Sequence, residues 1–141
     1  MNTKFFKHAA IALLLAGSFS SCANKMNNDP DPEKAILGKW KLVKTNNPMS
    51  GQSFDYSRYN IVYEFNADKV LIISGETETF MFPEIGEYSY SFINDENGYG
   101  MVGLPYGLEI GIRVFWYRIS SKEMEISQAP LDGGIYYFVK D

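Results

Sequence analysis

The chain has 141 residues, with 13 basic and 17 acidic side chains and a formal net charge of −4. With no cluster of lysine or arginine, that balance argues against a nucleic-acid partner and against electrostatic docking on anionic lipid heads. One histidine (His8) and one cysteine (Cys22) are present, so an intramolecular disulfide framework is excluded.

Lys4 and Lys7 precede an apolar run over residues 9–17, and Ser18-Phe19-Ser20-Ser21 then leads to Cys22. A basic start, a short apolar core and small residues before a cut site predict an export signal over residues 1–21. The run is well short of the ~20 residues that span a bilayer, so a transmembrane anchor is not expected. Phe19-Ser20-Ser21-Cys22 resembles a bacterial lipobox, with Phe19 where that pattern prefers Leu. The resemblance implies cleavage before Cys22 and lipidation of it. With Ala23 rather than Asp next, it also implies delivery to the outer membrane of a bacterial envelope. Acyl chains would then hold the protein at the membrane, at about 0.8 kcal/mol per buried methylene. Residues 22–34 are polar and carry Pro30 and Pro32, which predicts a tether. Residues 35–141 are one domain's worth of chain, enough for a single core.

The domain opens on Gly38-Lys39-Trp40-Lys41-Leu42, whose period-two alternation predicts a strand with one wet face. Residues 46–58 are long for a hairpin connection and rich in turn formers. Met49, Phe54 and Tyr56 lie there as a candidate lid, or as aromatic residues packed under a plain surface loop. Residues 59–65 alternate again, Asn66-Ala67-Asp68-Lys69 is a hairpin turn, and residues 70–73 form the return strand. A further alternating run over residues 76–82 ends at Pro83. Residues 86–92 then put Tyr88, Tyr90 and Phe92 on one side. Residues 99–104 precede Pro105-Tyr106-Gly107. Residues 108–119 read as one long strand whose inward face switches, so a bulge is expected near residues 113–116. Ser120-Ser121-Lys122 is a turn, residues 124–126 a strand, and residues 135–139 the closing strand.

About eight short strands joined mostly by turns predict an all-β, up-and-down antiparallel barrel, with a flattened β-sandwich as the alternative. Gly38-x-Trp40, the 65–69 turn, Gly86-x-Tyr88, Tyr117-Arg118-Ile119 before Met124-Glu125-Ile126, and Tyr137-Phe138 occur in an order that resembles the short lipocalin-like domains of bacterial lipoproteins. The resemblance implies a barrel with Gly38 and Trp40 as structural residues on its first strand, and non-catalytic binding of a small hydrophobic or amphipathic ligand. The chain departs from the family in its shorter domain and in having no helix after the last strand. A shorter barrel can be filled by its own side chains, and the alternative function is then an interaction module that docks on an envelope protein or a glycan.

No imidazole and no free thiol remain once the signal is removed and Cys22 is lipidated. Ser-His-Asp and Cys-His catalysis and zinc sites of His and Cys are therefore excluded, and neither an enzyme nor a cofactor or metal site is expected. Gly98-Tyr99-Gly100-Met101-Val102-Gly103 matches the dinucleotide fingerprint. That loop must open a helix, however, and Leu104-Pro105 cannot continue as one. The carboxylate pairs Glu76 with Glu78 and Glu123 with Glu125 read as a solvated face. Tyr63, Tyr88, Tyr90, Phe92, Trp116 and Tyr137 have two readings: a packed core, or the lining of a ligand cup.

Overall fold

The computed structural model describes residues 31–76, 83–93, 104–128 and 133–141. The chain enters through one helical turn, α1 (Pro32–Ala35). Asp31 caps it, its Oδ1 accepting the Glu33 N–H at 3.1 Å, and Pro32 takes the first position, where a missing N–H costs nothing. The tether predicted to run through Lys34 thus meets the fold sooner, at Asp31. No helix among the described residues is long and apolar enough to cross a membrane.

Nine strands follow: β1 (Gly38–Asn46), β2 (Ser53–Asp55), β3 (Val62–Phe65), β4 (Val70–Ser74), β5 (Gly86–Ile93), β6 (Tyr106–Ile110), β7 (Arg113–Ile119), β8 (Glu123–Gln128) and β9 (Ile135–Lys140). From β3 onward each strand pairs antiparallel with the next, and β9 returns to β1, so eight strands close an up-and-down barrel. This is the predicted architecture, and closure removes the edges an open sheet would expose. β1 closes it by serving both neighbours. Gly38–Lys41 pairs with β3 on one side, and Trp40–Asn46 pairs with β9 on the other. The register slips between Leu42 and Lys44, leaving Val43 bulged. Trp40 and Leu42 face inward before the slip, and beyond it Thr45 stands opposite the buried Tyr136. β2 extends the far half of β1, with Thr45 opposite Phe54.

Trp40 anchors the end nearest α1. Its Nε1 donates to the Ile36 carbonyl at 2.7 Å, and the Lys140 ammonium lies 4.2 Å from its ring centroid. Lys140 Nζ also donates to the carbonyls of Leu37 (2.6 Å) and Ala35 (3.3 Å), tying the last strand to the end of α1. Gly38 has φ +104°, and a Cβ there would lie 3.5 Å from Lys140 Nζ. The glycine of Gly38-x-Trp40 therefore serves a left-handed backbone, and a Cβ there would only touch Lys140.

The interior is packed with buried apolar side chains. Trp40, Leu42, Leu71, Leu108 and Phe115 are fully buried. The rings of Tyr63 and Phe138 meet edge-on at 4.8 Å and those of Phe65 and Tyr90 at 5.2 Å, the geometry aromatic quadrupoles favour.

Two local expectations are corrected. Residues 108–119 are two strands around the two-residue turn Gly111-Ile112, closed by the pair Ile110 and Arg113. Gly111 supplies φ +60°, as the first position of a type II′ hairpin requires, and Ile112 is 94% exposed. The turn, rather than a bulge, produces the switch of face. Residues 46–58 contain β2 and a bridged loop in which Asn47 Oδ1 accepts the N–H groups of Met49 (3.0 Å) and Ser50 (3.2 Å). Met49 and Phe54 are exposed, whereas Tyr56 is buried in the core.

The Tyr63 hydroxyl is buried and finds no hydrogen-bond partner among the described residues. An unsatisfied buried hydroxyl costs about 1–3 kcal/mol, and phenylalanine keeps the ring contact with Phe138. Tyr63→Phe should therefore raise the unfolding free energy by about 1 kcal/mol, read as a higher urea midpoint at unchanged slope. A lower midpoint would mean that the hydroxyl is bonded in solution.

Candidate functional site

Among the described residues, concave surface is found at one end and on one flank of the barrel. The cleft of greatest interest, about 480 Å³, lies where β5 ends and β6 begins, beside α1. That volume is within the range that holds small ligands. Phe92, Tyr106 and Tyr117 supply its rings, Pro32 and Glu33 of α1 form one wall, and Pro105 completes the rim. The Tyr106 and Tyr117 rings lie 5.3 Å apart and tilted, and Phe92 lies 6.4 Å from Tyr117. Each ring points to this end because β5, β6 and β7 alternate in step: Phe92, Leu108 and Phe115 share one face through their pairings, and Tyr106 stands opposite Tyr117.

Glycine sets the floor beside these rings. A Cβ on Gly107 would lie 2.9 Å from the Ile93 side chain and 3.0 Å from Cζ3 of Trp116. The indole of Trp116 thus closes over β6 from the outer face.

The electrostatics are those of a partly shielded carboxylate site. Glu33 and Lys69 are both about half exposed and approach to 3.6 Å. The Lys69 ammonium lies 3.9 Å from the Phe92 ring centroid and 5.7 Å from that of Tyr90. Burial pushes the Tyr117 phenol well above its ordinary range, and the charge of Glu33 is the next cause, with Tyr106 and Asp31 adding to it. The Tyr90 phenol is raised by burial and then by Glu33. Its hydroxyl donates to the Asn66 carbonyl at 2.6 Å.

A second concavity, about 390 Å³, lies on the flank of β7, β8 and β9. Val43, Tyr137 and Val139 give it an apolar side, and the ion pair of Arg118 with Glu125 a polar one.

The six residues predicted as core or cup do not converge on one space. Tyr63 and Tyr90 are buried in the core. Tyr88 packs against that core, and its hydroxyl donates to the Glu84 carbonyl at 3.0 Å. Phe92 reaches the cleft. Trp116 and Tyr137 alternate with the core residues Phe115 and Tyr117, and Tyr136 and Phe138, so both are excluded from the barrel interior. Two-residue periodicity settles this once the register is known. Glu125 is ion-paired with Arg118 and Glu123 is exposed, in keeping with a solvated face. Cys22, Glu78 and the 98–103 glycine run lie outside the described residues.

Sequence reasoning missed Glu33, Tyr106, Tyr117 and Lys69 as members of a site. Glu33 lay within the expected tether, although Asp31-Pro32 is a helix-start signal. Tyr106 sits between a proline and a glycine, where periodicity gives no signal. No protein-family model matches the chain, and neither a curated protein nor a solved structure matches it.

Burial raises the phenols of Tyr56, Tyr63, Tyr90 and Tyr117 in the folded state above the ordinary value of 10.0. Above that pH the unfolded chain releases protons that the folded one retains. The stabilisation from neutral phenols is therefore complete below pH 10 and is lost as pH rises, at about 1.4 kcal/mol per unit for each fully protected phenol. Urea midpoints should fall steeply above pH 10. In an ultraviolet titration the last phenolate absorbance should appear only as the fold is lost.

Proposed function

We propose that this is a lipid-anchored, non-catalytic binding protein of the bacterial envelope. It takes a small hydrophobic or amphipathic molecule in the cleft beside α1 rather than inside its barrel. The observation that carries the reading is the cleft beside α1 that Phe92 and Tyr106 border while most other rings are packed in the core. These two rings offer apolar contact there, and the Tyr106 hydroxyl orients a ligand. The likeness of Gly38-x-Trp40 and the later motifs to lipocalin-like lipoproteins supports the same class. The anchor reading rests on Phe19-Ser20-Ser21-Cys22. The ten residues from Cys22 to Asp31 reach at most ~35 Å. Lipidated there, the chain would hold the α1 end, and the cleft with it, near the membrane surface.

Titration of a polarity-sensitive fluorophore tests the cleft. Tyr106→Ala should weaken binding about twofold to tenfold, the range of one aromatic contact, while Tyr88→Ala, toward the other end of β5, should leave it unchanged. The opposite pattern, or no binding by the wild type, would overturn the cleft reading. For the anchor, Cys22→Ser should block acylation and leave unprocessed precursor. Membrane partition equal to wild type would remove lipidation from the proposal.

A second reading is favoured by a separate observation. Met49, Ile85 and Ile112 are exposed on connections at the end of the barrel opposite α1, and Phe54 is exposed on β2. Apolar side chains gathered at loop tips suit docking on an envelope protein or a glycan. Under the cleft reading, substitution of Met49 and Ile112 by serine is silent in the fluorophore titration.

A further inference from the structure

Lys69 occupies a backbone position made for glycine. The turn Asn66-Ala67-Asp68-Lys69 is closed by Lys69 N–H donating to the Asn66 carbonyl at 3.1 Å and Asn66 N–H donating to that of Val70 at 2.9 Å. Its last residue has φ +63°, the one positive φ outside glycine among the described residues. Such hairpins place glycine there, because a Cβ is strained in the left-handed region. The turn's own hydrogen bonds are backbone to backbone and make no use of a lysine side chain. What that side chain reaches is the cleft end: the face of Phe92 at 3.9 Å and the Glu33 carboxylate at 3.6 Å. A strained backbone position with its side chain aimed at a cleft points to a role for that side chain.

The chemistry around Lys69 is that of ammonium recognition. An aromatic face presents its negative quadrupole, and a carboxylate stands beside it. Phe92 and Glu33 are both walls of the cleft, and Tyr106 and Tyr117 extend the aromatic surface away from them. Burial first, and the charge of Glu33 next, raise the Tyr117 phenol beside this space. Asp31 is paired with Lys34, so with Lys69 displaced an anionic ligand faces the Glu33 carboxylate. A neutral one forgoes Glu33, whereas a cation with an apolar body uses both walls. The resident contact is also weakly held, since Lys69 and Glu33 are each about half exposed and solvent screens them.

We infer that the cleft recognises an organic ammonium carried on an apolar body, and that the Lys69 ammonium is an internal occupant which such a ligand must displace. This rests on the cleft being the binding site, as proposed above. Lys69 then lowers affinity in the free protein and sets a threshold that simple alkali cations, which gain little from aromatic faces in water, do not cross.

The test uses three size-matched ring compounds, benzylamine, benzyl alcohol and benzoate, titrated by calorimetry into wild type, Lys69→Gly, Glu33→Gln and Tyr106→Ala. Glycine suits φ +63°, so Lys69→Gly removes the ammonium without burdening the turn, and its melting curve verifies the fold. Glu33→Gln, at an exposed carboxylate, is the independent second variant. Wild type should prefer benzylamine to benzyl alcohol and bind benzoate weakest. Lys69→Gly should tighten benzylamine at least about threefold, and Glu33→Gln should loosen it by a similar factor. If benzylamine and benzyl alcohol bind alike in wild type and Lys69→Gly, yet both weaken in Tyr106→Ala, the cleft stands and the ammonium inference falls. Weaker benzylamine binding in Lys69→Gly would also overturn it, by making Lys69 a wall of the site. If none of the three compounds binds wild type or Lys69→Gly, both the inference and the cleft reading fall.

Discussion

Closure of β9 onto β1 is the constraint on which the rest of this molecule depends. β1 must pair with β3 at its start and with β9 along most of its length, and a single bulge at Val43 reconciles the two registers. The same closure brings the last strand to α1, where Lys140 stacks on Trp40 and donates to the carbonyls of Ala35 and Leu37. Burial lowers the proton affinity of Lys140, the expected cost of holding an ammonium against an indole. Residues 35 and 140 are far apart in sequence, and their contact exists only because the barrel is closed.

Closure around so short a perimeter decides where function can reside. An eight-stranded barrel is just wide enough for side chains to fill, and here aromatic rings from facing strands fill it edge to face. The interior supplies stability. Rings at the strand ends, where β5, β6 and β7 run out beside α1, border a cleft among the described residues. The result is a division between a packed shaft and two chemically different ends. One end holds a carboxylate, an ammonium and three rings; the other holds apolar loop tips.

Glycine positions show how the backbone serves that arrangement. Gly38 supplies a left-handed backbone, and Gly107 lets Trp116 close over β6. Lys69 is the contrary case, a side chain kept where the backbone favours none. The first two serve conformation and packing. The third retains a charge where the conformation would prefer its removal.

Much of the architecture was legible in the chain alone. The 66–69 turn, the alternation of β5 and the closing run at residues 135–139 are local signals, because side chains on a strand take opposite faces in turn whatever surrounds them. The all-β barrel followed from such signals, while the strands expected at 76–82 and 99–104 lie almost wholly outside the described residues. Which face was inward did not. Trp116 and Phe115 are equally apolar in sequence, and only the pairing of β7 with β6 and β8 places one ring in the core and the other outside. The Gly111-Ile112 hairpin was hidden because an isoleucine stands where a polar turn residue is usual, and its exposure is a fact of the fold. The cleft was least legible of all. It joins Glu33 before the first strand, Lys69 between two strands, and Tyr106 and Tyr117 from later ones. Periodicity by itself determined which residues form strands, because it is a property of neighbours along the chain. The tertiary structure alone decided which rings, charges and strand ends share a space, because barrel closure is a property of residues a hundred positions apart.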